Sequence, residues 1–133
     1  MRAVYEVVRK PENSSLKLWY STGYRFRAPW HFHPEVEILL VTRGRGVRYV
    51  GDSVAAFHEG DLVMVGRDLP HVWISDPTSA DDPRHVQCFI AQFRENFLGD
   101  HTWELPEFAG IAGLMQRSRR GIHVTGTAVA GAA

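Results

Sequence analysis

The sequence predicts a mainly β domain, an antiparallel barrel or sandwich, followed by one C-terminal α-helix. Short runs rich in β-branched and aromatic residues succeed one another up to residue 93, at the roughly 8–12-residue spacing of small all-β folds. Clusters of Gly, Pro, Asn, Asp and Ser separate them. Helical periodicity enters only after Gly99.

The strands follow in order. AVYEVV (3–8) and LKLWYS (16–21) flank a turn over 11–15, and VEILLV (36–41) comes after Pro34. GVRYV (46–50) lies between Gly44 and the turn Gly51-Asp52, and DLVMV (61–65) starts beside Gly60. HVWIS (71–75) and HVQCFIAQF (85–93) flank a turn-rich stretch over 76–83. Beyond them, residues 105–122 carry apolar side chains at 105, 108, 111, 114 and 115, which is helical spacing. Pro106 fits the first turn of that helix and Gly121 its stop, and Arg119-Arg120 suit the negative end of its dipole. Thr127 could cap a further short run of small residues. The chain is therefore divided into a β domain over 1–103 and helical residues over 104–133.

Composition limits the function classes. With 133 residues, 44% of them hydrophobic, the chain can bury one core. Lys plus Arg equals Asp plus Glu at 15 each, which gives no cationic surplus for gripping nucleic acid or an anionic membrane. Cys88, the single cysteine, has no internal disulfide partner and reads as a small core residue. The first fifteen residues lack a signal peptide's apolar region, and no apolar run has the length of a membrane span. A soluble, cytoplasmic domain is expected.

Chemistry concentrates in WHFHPEVEILL, residues 30–40. His31 and His33, two apart on a strand, share a face. Past the break at Pro34, Glu37 should point inward with Leu39 and Val41, and Glu35 should meet solvent at the kink. His71 opens a strand of its own. If the two strands are neighbours, His31, His33, Glu37 and His71 converge as ligands for one divalent transition metal, Zn, Ni, Fe or Mn. Against this stands the ordinary case, since most His-x-His pairs on strands bind nothing. Trp73 shares the face of His71 and is either a core residue or a stacking platform for a ligand, and the same two readings apply to Tyr49. Arg25 and Arg27 could clamp a carboxylate, though a solvated strand face is the simpler reading. His58, His85, His101 and His123 fit no ligand spacing.

These residues resemble a known family. His31-x-His33-x3-Glu37-x6-Gly44 is similar to the first cupin motif, and Gly60-Asp61 followed by His71 is similar to the second. Gly66, Asp68 and Ser75 depart from it, standing where a proline, a glycine and an asparagine are expected. From about Arg27 to Gly126 the chain resembles the N-terminal cupin domain of AraC-type bacterial transcription regulators, through WHFHPEVE, VGDS, GDLVMVGRDLPHVW and RSRRGI. The resemblance implies a cupin barrel that senses a small-molecule effector. It implies a homodimer seam on the following helix, here Leu105, Phe108, Ile111, Leu114 and Met115. It also implies DNA contact only through a C-terminal region outside these residues, and no catalysis. The alternative reading is a free-standing metal-dependent cupin enzyme of isomerase or dioxygenase type.

Overall fold

The structure is a computed structural model and describes residues 2–23, 29–76 and 86–126. Arg25, Arg27, His85 and Thr127 lie outside the described residues. Ten strands are found among the described residues: β1 Val4–Tyr5, β2 Leu16–Gly23, β3 His31–Phe32, β4 Val36–Arg43, β5 Gly46–Val50, β6 Ser53–Phe57, β7 Leu62–Val65, β8 His71–Ser75, β9 Val86–Phe93 and β10 Ile122–Val124. They form two five-stranded sheets, β1-β3-β8-β5-β6 and β10-β7-β4-β9-β2. The expected mainly β architecture is found, as two facing sheets in place of a closed barrel. The two sheets share one core, and among the described residues they do not join into a single hydrogen-bonded cylinder.

That core explains the strand pattern. Leu39, Val41, Val63, Val65, Cys88 and Ile90 of the second sheet pack against Val50, Phe57 and Trp73 of the first. Alternation sets this face, because every second residue of a strand points the same way. The opposite face of the second sheet is also covered. Val36, Met64 and Phe93 pack there with Met115, Leu114, Phe97 and Trp103. A sheet buried on both faces needs near-continuous apolar strands, which is what EVEILLV provides.

The helix is shorter than the sequence predicts. α1 spans Ala109–Ser118, and two single 3-10 turns precede it, Thr102–Glu104 and Pro106–Phe108. Leu105 between them is extended (φ −67°, ψ 137°), so the residues from 105 do not form one helix. The residue before a proline is pushed out of the helical region, which accounts for the break. Gly121 ends the helix as expected: its φ of +84° suits glycine, and its N–H donates to the Ser118 carbonyl at 2.9 Å. The chain then adds β10 to β7 (His123↔Val63), so residues beyond 103 complete the sheet as well as covering it.

Two motif departures have a structural reason. The Gly66 N–H donates to the Ser118 carbonyl at 2.6 Å, and a β-carbon at 66 would collide with the backbone of Ser118 and Arg119. A proline there would lose the donor and strike the helix end. Asp68, in the place of the motif's glycine, has φ +59°, a left-handed conformation that Asp tolerates better than most side chains. At the N-terminus only Val4–Tyr5 of the expected 3–8 strand is paired, in parallel with β3.

Candidate metal centre

His31 and His71 face each other as the one paired position between β3 and β8, which places both on the inner side of the first sheet. Their ring centroids are 4.3 Å apart, and the His33 ring lies 5.6 Å from His31 and 5.0 Å from His71. All three are buried, and their ligand atoms fall within 4.8 Å of one another. Glu37 reaches them from β4 of the second sheet, where it pairs with Val65 and Gln92. The centre therefore sits between the sheets, and all four predicted ligands come together.

The hydrogen bonds fix which imidazole nitrogens face inward. Nδ1 of His31 donates to the Pro29 carbonyl at 2.5 Å, Nδ1 of His33 to the Glu35 carbonyl at 3.1 Å, and Nδ1 of His71 to the Leu69 carbonyl at 2.7 Å. A neutral imidazole with its proton on Nδ1 carries its lone pair on Nε2. The three Nε2 atoms are thus the free donors, held in orientation by backbone carbonyls as metal-bound histidines commonly are. Those of His33 and His71 are buried with no hydrogen-bond partner. His33 Nε2 stands 3.5 Å from Glu37 Oε1 and His71 Nε2 stands 3.6 Å from Oε2. Two ligands about 2.1 Å from a common ion, at angles of 90–110°, are about 3.0–3.4 Å apart. The orphaned donors suit a divalent cation, and their spacings from Glu37 lie just above that range, so the residues present suit the group.

Protonation is arranged to match. Burial favours a neutral Glu37, yet the adjacent His33 ring, the charges of both histidines and the hydrogen bond from Gln92 outweigh it and lower its pKa to about 2. Gln92 Nε2 donates to Glu37 Oε1 at 2.6 Å and so orients the carboxylate. Burial depresses His71 to about 4, with the neighbouring His31 and His33 adding to the effect against the pull of Glu37. Burial also opposes charge on His33, but the adjoining Glu37 carboxylate prevails and raises its pKa. His71 is therefore a neutral donor at neutral pH, and His33 keeps a proton to higher pH than a free imidazole does, a proton that a cation would displace.

Other expectations divide. Glu35 does not meet solvent, which corrects the reading at the kink. It stays on the face of Glu37 two residues on, is buried, and accepts from Arg94 Nε at 3.2 Å. Trp73 packs in the main core and touches the His71 ring edge-on at 5.9 Å. Tyr49 stands on the exposed face of β5, opposite the buried Arg48 and Val50, and does not join the histidines. Of the helical stripe, Met115 and Leu114 pack on the sheet and Phe108 meets Trp103, while Leu105 and Ile111 remain exposed. Sequence reasoning missed Gln92, although a glutamine at an inward position of β9 was a legible signal. It also missed Glu6, whose Oε2 lies 3.1 Å from His31 Nε2, and for that no signal existed.

No helix among the described residues is long and apolar enough to cross a membrane. No curated protein matches the sequence. Among solved structures, a cupin 2 conserved barrel domain protein from Rhodopseudomonas palustris is similar, with TM-score 0.48 and 17% identity. The alignment covers 66% of this chain and 57% of that one, so this chain spans little more than half its length. A cupin 2 conserved barrel domain protein from Salinispora arenicola CNS-205 has TM-score 0.48 and 19% identity, over 79% of this chain and 80% of that one. The plu4264 protein from Photorhabdus luminescens has TM-score 0.40 and 15% identity, over 65% and 72%. The family model that matches is that of the cupin domain, and the matched residues, 24–80, contain all four of the converging side chains.

Proposed function

We propose that this chain is the effector-sensing and dimerising part of an AraC-type transcription regulator. In this reading it binds a small molecule at a divalent transition-metal centre made by His31, His33, Glu37 and His71. The observation that carries the metal reading is the convergence of three backbone-oriented histidines, two of which, His33 and His71, turn Nε2 toward the Glu37 carboxylate. Bound there, the ion would act as a Lewis acid toward an oxygen-bearing ligand. The residues around it orient the donors and keep water out.

The regulatory part of the reading rests on the sequence resemblance and is supported by the helix. α1 is seated on the sheet through Met115 and Leu114 while Leu105 and Ile111 stay exposed for a second copy. DNA contact is not assigned to these residues, whose basic and acidic counts cancel. A binding role, not a catalytic one, agrees with the engaged state of the nearby carboxylates: Gln92 holds Glu37 and Arg94 holds Glu35. The donor set, which leaves coordination positions for a substrate, favours the second reading of a metal-dependent cupin enzyme.

Protein purified without chelator is expected to carry stoichiometric metal by elemental analysis, and the His31→Ala, His33→Ala double variant to carry none. Metal-free wild-type protein that takes up no added ion overturns the metal centre and the enzyme together. For the regulatory reading, sedimentation at micromolar concentration should show a dimer that becomes monomeric in Leu105→Asp, Ile111→Asp. Both side chains are exposed, so folding is spared. A monomeric wild type overturns that reading.

A further inference from the structure

Glu6 belongs to no part of the His-x-His…Glu…His pattern, yet its carboxylate stands 3.1 Å from His31 Nε2. His31 gives its Nδ1 proton to the Pro29 carbonyl, so in the neutral ring a lone pair on Nε2 faces a carboxylate oxygen. Two such groups repel unless a positive charge lies between them. The separation lies within the spacing of two ligands about 2.1 Å from one ion, and the Glu37 distances of 3.5 Å to His33 and 3.6 Å to His71 lie just above it.

Charge points the same way. Three neutral imidazoles and one carboxylate leave a divalent ion with a net positive charge in a buried place, where uncompensated charge is costly. A second carboxylate cancels it. We infer that Glu6 is a fifth protein donor to the cation bound by His31, His33, Glu37 and His71, an inference that rests on the metal reading above.

This donor differs from the others in how it is held. Glu37 is fixed in the middle of a sheet, whereas Glu6 follows a two-residue edge strand. β1 is anchored by Val4 N–H to the Trp30 carbonyl at 3.0 Å and Glu6 N–H to the Phe32 carbonyl at 2.9 Å. The Tyr5 ring adds an edge contact on Phe32 at 5.5 Å. Val4, Tyr5 and Val7 are each more than half exposed. Such a segment opens at little cost to the core. Glu6 is therefore a detachable ligand, and by linkage the ion fastens the N-terminal strand as much as the strand fastens the ion.

The test is titration of metal-free wild type and Glu6→Gln with Co2+, whose visible spectrum reports coordination, and with Zn2+ by chelator competition. Affinity in Glu6→Gln should fall at least about tenfold, the lower end of the loss seen when partners around a metal site are removed. The Co2+ spectrum should change with it. Hydrogen exchange at the amides of Val4 and Glu6 should slow on Zn2+ addition in the wild type and not in the variant. If the wild type binds but the variant shows the same affinity, spectrum and exchange, Glu6 is only a neighbour and the inference falls while the metal centre stands. If the wild type binds neither ion, both fall.

Discussion

Asp61→Ala is expected to lose about 3–5 kcal/mol of folding free energy, the range for breaking a buried ion pair from one side. Arg48 of β5 and Asp61 at the start of β7 are both buried, and Nε donates to Oδ2 at 2.9 Å. The pair ties one sheet to the other across the core. Without the carboxylate the guanidinium, always charged, stays between the sheets with its main partner gone. Against a typical total of about 5–15 kcal/mol, that leaves a marginal domain. Replacing both partners by apolar residues, Arg48→Met with Asp61→Leu, should recover most of the loss, because the cost lies in the stranded charge. His123→Ala should matter far less: it contacts Asp61 Oδ1 at 2.8 Å, but its side chain is 47% exposed. Urea unfolding of the three variants checks the order. A loss below about 1 kcal/mol in Asp61→Ala would show that water reaches Arg48.

A divalent transition ion at a thousand times its dissociation constant should stabilise the fold by about 4 kcal/mol. For a domain of this size that raises the melting temperature by roughly 10–20 °C, and a chelator should reverse it. The effect should weaken as pH falls. His33 has a folded pKa above its ordinary 6.5, so at mildly acid pH it holds a proton that a metal must displace. Without metal the signs differ by residue. The raised His33 pKa stabilises the fold below 6.5, and that contribution is lost as pH rises through the folded value. The lowered Glu37 pKa stabilises it above 4.5, and that contribution is lost as pH falls toward about 2. His71, best kept neutral, contributes above 6.5 and loses this as pH falls through about 4. Melting curves at pH 5 and pH 8, with and without Zn2+, separate the cases. No shift at pH 8 under saturating Zn2+ contradicts the centre, and equal shifts at both values contradict proton competition at His33.

Much of the architecture could be read from the chain because burial dictates it. β4, β5, β7, β8 and β9 carry the β-branched residues that a buried strand face requires, and His31, Glu37 and His71 could be named as candidate ligands because strand parity sets which side chains face inward, whereas His33 lies between β3 and β4. What stayed hidden has physical causes. β6, SVAAF, holds two alanines with no strand preference and exists because the Gly51-Asp52 turn folds it back on β5. β10 was not foreseen, Ile122 closing the helical run and Val124 opening the tail, since these residues become a strand only by finding the edge of β7. Glu35 was misjudged because Pro34 bends the chain without changing the face that follows. Glu6 depends on a parallel pairing between residues 27 positions apart in sequence, Val4 with His31, and no local pattern encodes that.

Residues 66–71 give this fold a constraint that matters to anyone redesigning it. Within six positions, Gly66 N–H holds the end of α1 at Ser118, Asp68 N–H holds the His33 carbonyl at 2.8 Å, and the Leu69 carbonyl sets the tautomer of His71. The Leu69 side chain also lies under Gly51 and Gly121. Ligand geometry and helix placement are thus written into the same short loop. A library that varies this loop to reshape the candidate centre will vary the seat of the helix in the same stroke, so the two will change together. Grafting the centre onto another scaffold would require carrying residues 115–121 along with it.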